Sequence, residues 1–343
     1  MTISFARGIP APECLPVEEL ADCAQAALRR DGATILSYGS TLGYRPLREW
    51  LGERHGVDPE RVVVTNGSLQ AFHLLLASLP AGRMIVERPT YDRPRKILLA
   101  EGRELAEVPV DADGLDVDEL EREWPRVGRA ALLYTIPTFQ NPSGATLSGE
   151  RRRQLAGLVR FEGERLPSLL ELEGGERVLY SSSFSKTVAP GLRVGYLIVS
   201  PGLASELETL AASTYITPGL VSQAMLYEFV RRELFEPNLL RVCGLLRERR
   251  DAMLEALESA FGGRARWSRP QGGYFLWLEL PDELDASELL VRASESGVTF
   301  VPGVDFGGGP NTLRLAFSYV SPKEIVDGIG CLAKLVATTA APV

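Results

Sequence analysis

The chain has 343 residues, 45% hydrophobic and 24% charged, an ordinary balance for a soluble globular protein of one large domain or two moderate ones. A formal net charge of −8 without a lysine- and arginine-rich tail argues against a nucleic-acid binder, and no apolar stretch is long enough to span a membrane. Two histidines and four scattered cysteines (Cys14, Cys23, Cys243, Cys331), with no CxxC pair, argue against a metal site and suit the reduced thiols of a cytoplasmic protein.

"MTISFARGIPAPE" lacks the basic-then-apolar order of a signal peptide, and "PVEELADCAQAALRR" reads as the first helix. From about residue 44 strands and helices alternate. "YRPLREWLGERHG" predicts a helix ending at Gly56, "RVVVTNG" a β-branched strand, and "SLQAFHLLLASL" a helix that follows the glycine at once. "RMIVE", "RELAEVPV" and "RAALLYTIP" predict strands, separated by helices over "DRPRKILLAEG" and "DVDELERE". "SGERRRQLAGLVR" predicts a further helix, and "RVLYSSSF" and "RVGYLIVS" two more strands. This alternation implies an α/β fold with a mostly parallel central sheet flanked by helices, whose ligands bind at strand ends beside helix N-termini. The last third changes character. A long amphipathic helix over 234–261 precedes the strand "GGYFLWLEL", the helix "DASELLVRASESG", the strand "NTLRLAF" and the helix "SPKEIVDGIGCLAKLV". "RERR" at 247–250 reads as the wet face of the long helix. The expected organisation is a large domain over 36–233 and a smaller α+β domain made of 1–35 and 234–343.

Of the 37 basic residues only Lys96, Lys186, Lys323 and Lys334 are lysines. A guanidinium keeps its proton, whereas an ammonium can lose it and attack a carbonyl to form a Schiff base. Lys186 stands in "SSSFSKTVAPGLRVGY" (181–196), among hydroxyl residues and seven positions before Arg193. A surface lysine is the ordinary reading, so its neighbours decide. In "TNGSLQ" (65–70) the strand, Gly67 turn and helix start offer free backbone N–H groups as a phosphate seat, or merely a tight connection. In "PTFQNPSG" (137–144) Asn141 falls at a strand's C-terminal end, as an oxyanion donor or as the cap of a turn. Ser183 and Ser185 flank the lysine with hydroxyls, and Arg193 supplies a fork for phosphate. In "GPNTLRLAF" Arg314 either faces water from an edge strand or is an interior charge suited to a substrate carboxylate.

Together these stretches resemble the class I/II aminotransferases of pyridoxal-phosphate (PLP) fold type I. "FARGIPAPE", "LSYGSTLGYRPLREW", "VTNGSLQ", "PTYDRP", "IPTFQNPSG", "SSSFSKTVAPGLRVGY" and "FVPG" are similar to the branch with 2-aminoadipate and aromatic aminotransferases, which shares its fold with the C-terminal part of MocR-type regulators. The resemblance implies a transaminase that moves an amino group from an L-amino acid to a 2-oxo acid with pyridoxal 5'-phosphate. It implies that Lys186 forms the Schiff base and acts as proton carrier. Gly67, Ser68, Leu69, Ser183, Ser185 and Arg193 would hold the phosphate, Tyr91 would stack on the ring, and Asn141 would bond its oxygen. Arg314, with Gly8 and Asn141 nearby, would take the α-carboxylate. Tyr38 would reach the neighbouring subunit's phosphate, which implies a homodimer with a composite site. Nucleic-acid, membrane and metal partners are not expected. A lyase or racemase on the same fold and a non-catalytic PLP binder remain open, while no winged-helix domain is expected before residue 1.

The sequence departs from the family pattern at one place. The family carries an aspartate-bearing strand between the asparagine loop and the lysine, with a tyrosine three residues on; the aspartate keeps the pyridine nitrogen protonated. No aspartate lies between Ser143 and Lys186, and near 160/161 the chain is shorter than the pattern by about fifteen to twenty residues. Either the natural protein has a segment that this sequence lacks, or the protein lacks it too and its catalysis is impaired. The "VDFGGGPN" loop is also slightly short.

Overall fold

The computed structural model describes residues 2–79, 82–127, 132–157 and 178–339. The junction near 160/161 lies outside the described residues. The chain forms two compact units, one of Met1–Pro12, Ala81–Arg151 and Cys243–Val343, the other of Glu13–Pro80 and Arg152–Val242.

The unit containing Lys186 is built on a three-stranded sheet. Gly195–Ile198 lies in its centre, antiparallel to both Val62–Thr65 and Tyr180–Ser183. Alternation along the strands separates two cores, as side-chain period 2 requires. Val62, Val64, Tyr196 and Ile198 face Leu47, Leu51, Ala224 and Phe229. Val63, Leu197 and Val199 face Ala71, Leu74, Leu75, Ala204 and Leu207. Both faces are therefore covered, and all four residues of "VVVT" are buried. The helix Arg45–His55 starts with proline in its first turn and stops at Gly56, which is left-handed (φ 66°) and donates to the Glu53 carbonyl. Helices Pro201–Thr214 and Leu220–Arg231 lie in a stretch the sequence patterns leave unassigned. The first has a legible start signal: Ser200 accepts from the N–H of Leu203, and proline follows it.

The other unit holds two main sheets. Met84–Arg88 is parallel to both Leu105–Asp111 and Leu132–Tyr134, as the alternating pattern implies. Gly195–Ile198 departs from that parallel rule because the short connection 184–194 returns it alongside Tyr180–Ser183, which leaves no room for a crossover. In the second sheet Thr312–Ala316 pairs antiparallel with Phe275–Glu279 and with Val301–Pro302. Leu276, Leu278, Leu313 and Leu315 pack with Phe5, Met253, Leu257, Phe261, Ile325 and Ile329. The solvated reading of "RERR" needs one correction. Arg249 turns inward at 4% exposure and donates to the Ser318 carbonyl, because that position faces the sheet.

No described helix is long and apolar enough to cross a membrane. Among the described residues no cluster of His, Cys, Asp and Glu could hold a metal ion.

Candidate active site

The lysine-bearing unit concentrates its chemistry at the C-terminal end of Val62–Thr65. Gly67 (φ 94°) turns the chain into the helix Ser68–Ser78, whose N-terminus no side chain among the described residues caps. Gln70 Oε1 reaches back to the N–H of Asn66 at 2.6 Å and Thr65 Oγ1 donates to the Gly67 carbonyl, so the turn is held from both sides. Arg193 is exposed and also left-handed (φ 52°); its guanidinium donates to the Asn66 carbonyl at 3.2 Å. A Cβ on Gly67 would lie 2.3 Å from Arg193 Nη2, and one on Gly195 would lie 2.7 Å from the Ser68 nitrogen. Both glycines are thus required by close approach, which seats a guanidinium against an uncapped helix N-terminus. Two positive ends converge there, an arrangement suited to a phosphate.

Ser183 ends its strand, and Ser185 and Lys186 follow in the next turn, which the Val188 N–H closes onto the Phe184 carbonyl. Ser183 and Ser185 are half-buried, and Lys186 is exposed. Leu69 lies in the first turn of the Ser68 helix. Tyr38 is 79% exposed.

In the other unit Arg314 settles the ambiguity its sequence left. It occupies an inner strand, not an edge, and is 7% exposed. Its neighbours Leu313 and Leu315 face the core, so alternation turns Arg314 to the opposite face. There it lies 4.2 Å from the ring centroid of Phe275 and 4.7 Å from that of Phe306. It donates to Asn141 Oδ1 at 3.0 Å and to the Ala6 carbonyl at 3.1 Å. Its Nε is buried and has no hydrogen-bond partner among the described residues. Burial pushes its pKa down to about 10, against the pull of Asp92, Tyr91 and Asp305, so the charge persists at neutral pH. A buried cation with an unused donor and two aromatic faces suits an incoming carboxylate. Gly8 shapes this place: a Cβ there would lie 2.4 Å from the Phe275 ring that stacks on Arg314. Tyr91, half-buried at the start of helix Asp92–Ala100, is near enough to Arg314 to act on it electrostatically.

Two residues beneath Asn141 carry no signal in the reading of single stretches. Glu87 is 2% exposed and accepts from Thr135 Oγ1 at 2.5 Å, Ile136 N at 2.9 Å and Gln140 Nε2 at 2.8 Å. Gln140 Nε2 also donates to the Pro89 carbonyl, and its Oε1 accepts from the N–H and hydroxyl of Ser143. The local clue is an acid that follows directly on the apolar run "MIV".

Comparison with known proteins agrees with this geometry. The profile of the family "Aminotransferase class I and II" matches residues 13–330. The chain is 38% identical to the 2-aminoadipate transaminase of Thermus thermophilus, covering 95% of this chain and 88% of the relative. It is 33% identical to aromatic-amino-acid aminotransferase 1 of Thermococcus litoralis, covering 97% of this chain and 88% of the relative. Among solved structures, the α-aminoadipate aminotransferase of Thermus thermophilus, complexed with N-(5'-phosphopyridoxyl)-L-leucine, superposes with a TM-score of 0.91 at 36% identity, over 98% of this chain and 92% of the other. The chain belongs to the class I and II aminotransferase family and has the PLP fold type I. It is an aminotransferase whose cofactor is pyridoxal 5'-phosphate. The residues present fit that group and its substrate: the Gly67–Arg193 cradle suits the cofactor's phosphate, and the unused Arg314 donor suits the carboxylate of an amino acid.

Proposed function

We propose that the chain transfers an amino group from an L-amino acid to a 2-oxo acid, with the work divided among the residues described above. Bound pyridoxal phosphate supplies an aldehyde for Schiff-base chemistry and a ring that accepts electrons. Lys186 provides the amine for the aldehyde and then carries the substrate proton on its Nζ. His55, the other conventional shuttle in this unit's interior, is already engaged with the Tyr196 hydroxyl at 2.9 Å. The N–H groups of Ser68 and Leu69 beside Gly67, the hydroxyls of Ser183 and Ser185, and Arg193 grip the phosphate. Asn141 bonds the ring oxygen and Tyr91 stacks on the ring. Arg314 orients the α-carboxylate, with Gly8 beside the substrate. Tyr38, on the outside of its own chain, serves the partner's phosphate in a cytoplasmic homodimer. The relatives' named substrates support a donor with a long acidic or an aromatic side chain.

The observation that carries the substrate half is the Arg314 Nε, buried between two aromatic rings and unpaired among the described residues. The test is a half-reaction. Loaded protein mixed with L-2-aminoadipate or L-phenylalanine should release one equivalent of 2-oxo acid and keep the amino group, and 2-oxoglutarate should reverse it. Release of no 2-oxo acid by any amino donor contradicts the proposal.

A second reading keeps the cofactor and loses turnover. It rests on the absence of any aspartate between Ser143 and Lys186 to hold the pyridine nitrogen protonated. A loaded protein that captures the cofactor on Lys186 but completes no half-reaction would favour it.

A further inference from the structure

We infer that Glu87 is a positioning residue for substrate binding: its buried carboxylate, relayed through Gln140, fixes the turn that presents Asn141 to Arg314. The inference rests on the reading of Arg314 as the carboxylate site and assigns that site a support from outside it. The geometry is a chain of donors that all point one way. Glu87 Oε1 accepts from Thr135 and Ile136, the residues that leave the Leu132–Tyr134 strand. Its Oε2 accepts from Gln140 Nε2, whose second hydrogen goes to the Pro89 carbonyl. Gln140 is 1% exposed, and its single oxygen takes both hydrogens of Ser143. The backbone of the loop is closed by Gln140 N to Ala145 O at 2.8 Å and Gly144 N to Gln140 O at 2.6 Å. Asn141 is thus clamped between two residues whose side chains are ordered by one carboxylate, and its Oδ1 meets Arg314.

The charge form of Glu87 matters because only an ionised carboxylate accepts at every site. Burial opposes ionisation and pushes its pKa up, while the three donors oppose that push. The contact with Thr135, at 2.5 Å, is the shortest of the three that meet the carboxyl. A glutamine in its place keeps the volume but brings its own N–H groups. With its oxygen on Thr135 and Ile136, its amide nitrogen faces the amide nitrogen of Gln140. Gln140 escapes only by turning over, which sets its N–H groups against the Ser143 N–H and takes the donor from Pro89. The mismatch is delivered to the turn that holds Asn141.

The experiment measures binding of two unreactive acids, 3-phenylpropionate and glutarate, to cofactor-loaded protein by calorimetry, with melting temperature and cofactor content recorded alongside. Glu87→Gln and Gln140→Met should each weaken the better-bound acid by about tenfold at a temperature where the protein is folded, with cofactor content retained. Arg314→Ala should abolish binding. If Arg314→Ala abolishes binding but Glu87→Gln and Gln140→Met stay within about twofold of wild type, the positioning role is wrong and the Arg314 reading stands. A lower melting temperature with unchanged affinity reveals a purely structural role and also overturns the inference. Should Glu87→Gln fail to fold, Gln140→Met decides alone. Wild-type protein that binds neither acid, or an Arg314→Ala variant that binds normally, counts against the carboxylate site itself and the inference with it.

Discussion

Arg314 donates to Asn141 Oδ1 at 3.0 Å across 173 residues of sequence. The contact joins an inner strand of one sheet to a loop at the end of another strand. It accounts for the placement of a cation where a buried strand otherwise carries leucines, and the remaining Nε gives the guanidinium a donor to spare.

Replacing that fork by a point charge tests it. Arg314→Lys keeps the charge but cannot present two parallel donors, nor reach both Asn141 and a carboxylate. The expected outcome is a KM for the amino donor raised about 10- to 100-fold, the loss of one or two charged hydrogen bonds. Steady-state kinetics check it. An unchanged KM would remove Arg314 from substrate binding.

The phosphate cradle depends on what is missing at residue 67. Gly67→Ala forces a side chain into φ 94° and to within 2.3 Å of Arg193. The variant should lose about 1–3 kcal/mol of stability, and weaken cofactor binding roughly tenfold, because Arg193 must move off the turn. Urea unfolding and cofactor titration measure the two effects separately.

A pH-dependent contribution arises far from the cradle. Glu228 is fully buried and bonds Arg231, Arg232 and Arg30, with Arg231 the largest influence; together they pull its pKa from 4.5 to about 2. A carboxylate lowered on folding stabilises above its unfolded value and loses that contribution as pH falls through the folded one. The shift corresponds to roughly 3–4 kcal/mol at neutral pH. The stability difference between wild type and Glu228→Gln should therefore be flat from neutral pH to about 4.5 and shrink as pH falls toward 2. Urea titrations over that range check the slope, and a difference independent of pH would contradict it.

Much of the fold is legible because period and punctuation are local. "VVVT" with a glycine two residues on yields a buried strand and a helix start without further information. What covers a side chain is not local. Alternation turns Arg314 away from Leu313 and Leu315, but the cover on its other face comes from Phe306, on the preceding turn, and from Phe275 and Asn141, which are distant in sequence. Glu87 was hidden for the same reason: its donors lie at 135–140. Arg249 looked solvated because its partner, the Ser318 carbonyl, is also remote. The helices within 201–231 are announced only by the Ser200–Pro201 start, a weaker local signal than the strand and glycine pairs elsewhere.

The most direct measurement is reductive trapping. Protein incubated with pyridoxal phosphate, reduced with borohydride and digested should yield one phosphopyridoxyl-bearing peptide, modified at Lys186, and Lys186→Arg should yield none. Label on Lys96, Lys323 or Lys334 in its place, or no label at all, would contradict the assignment of Lys186 as the residue that captures the cofactor.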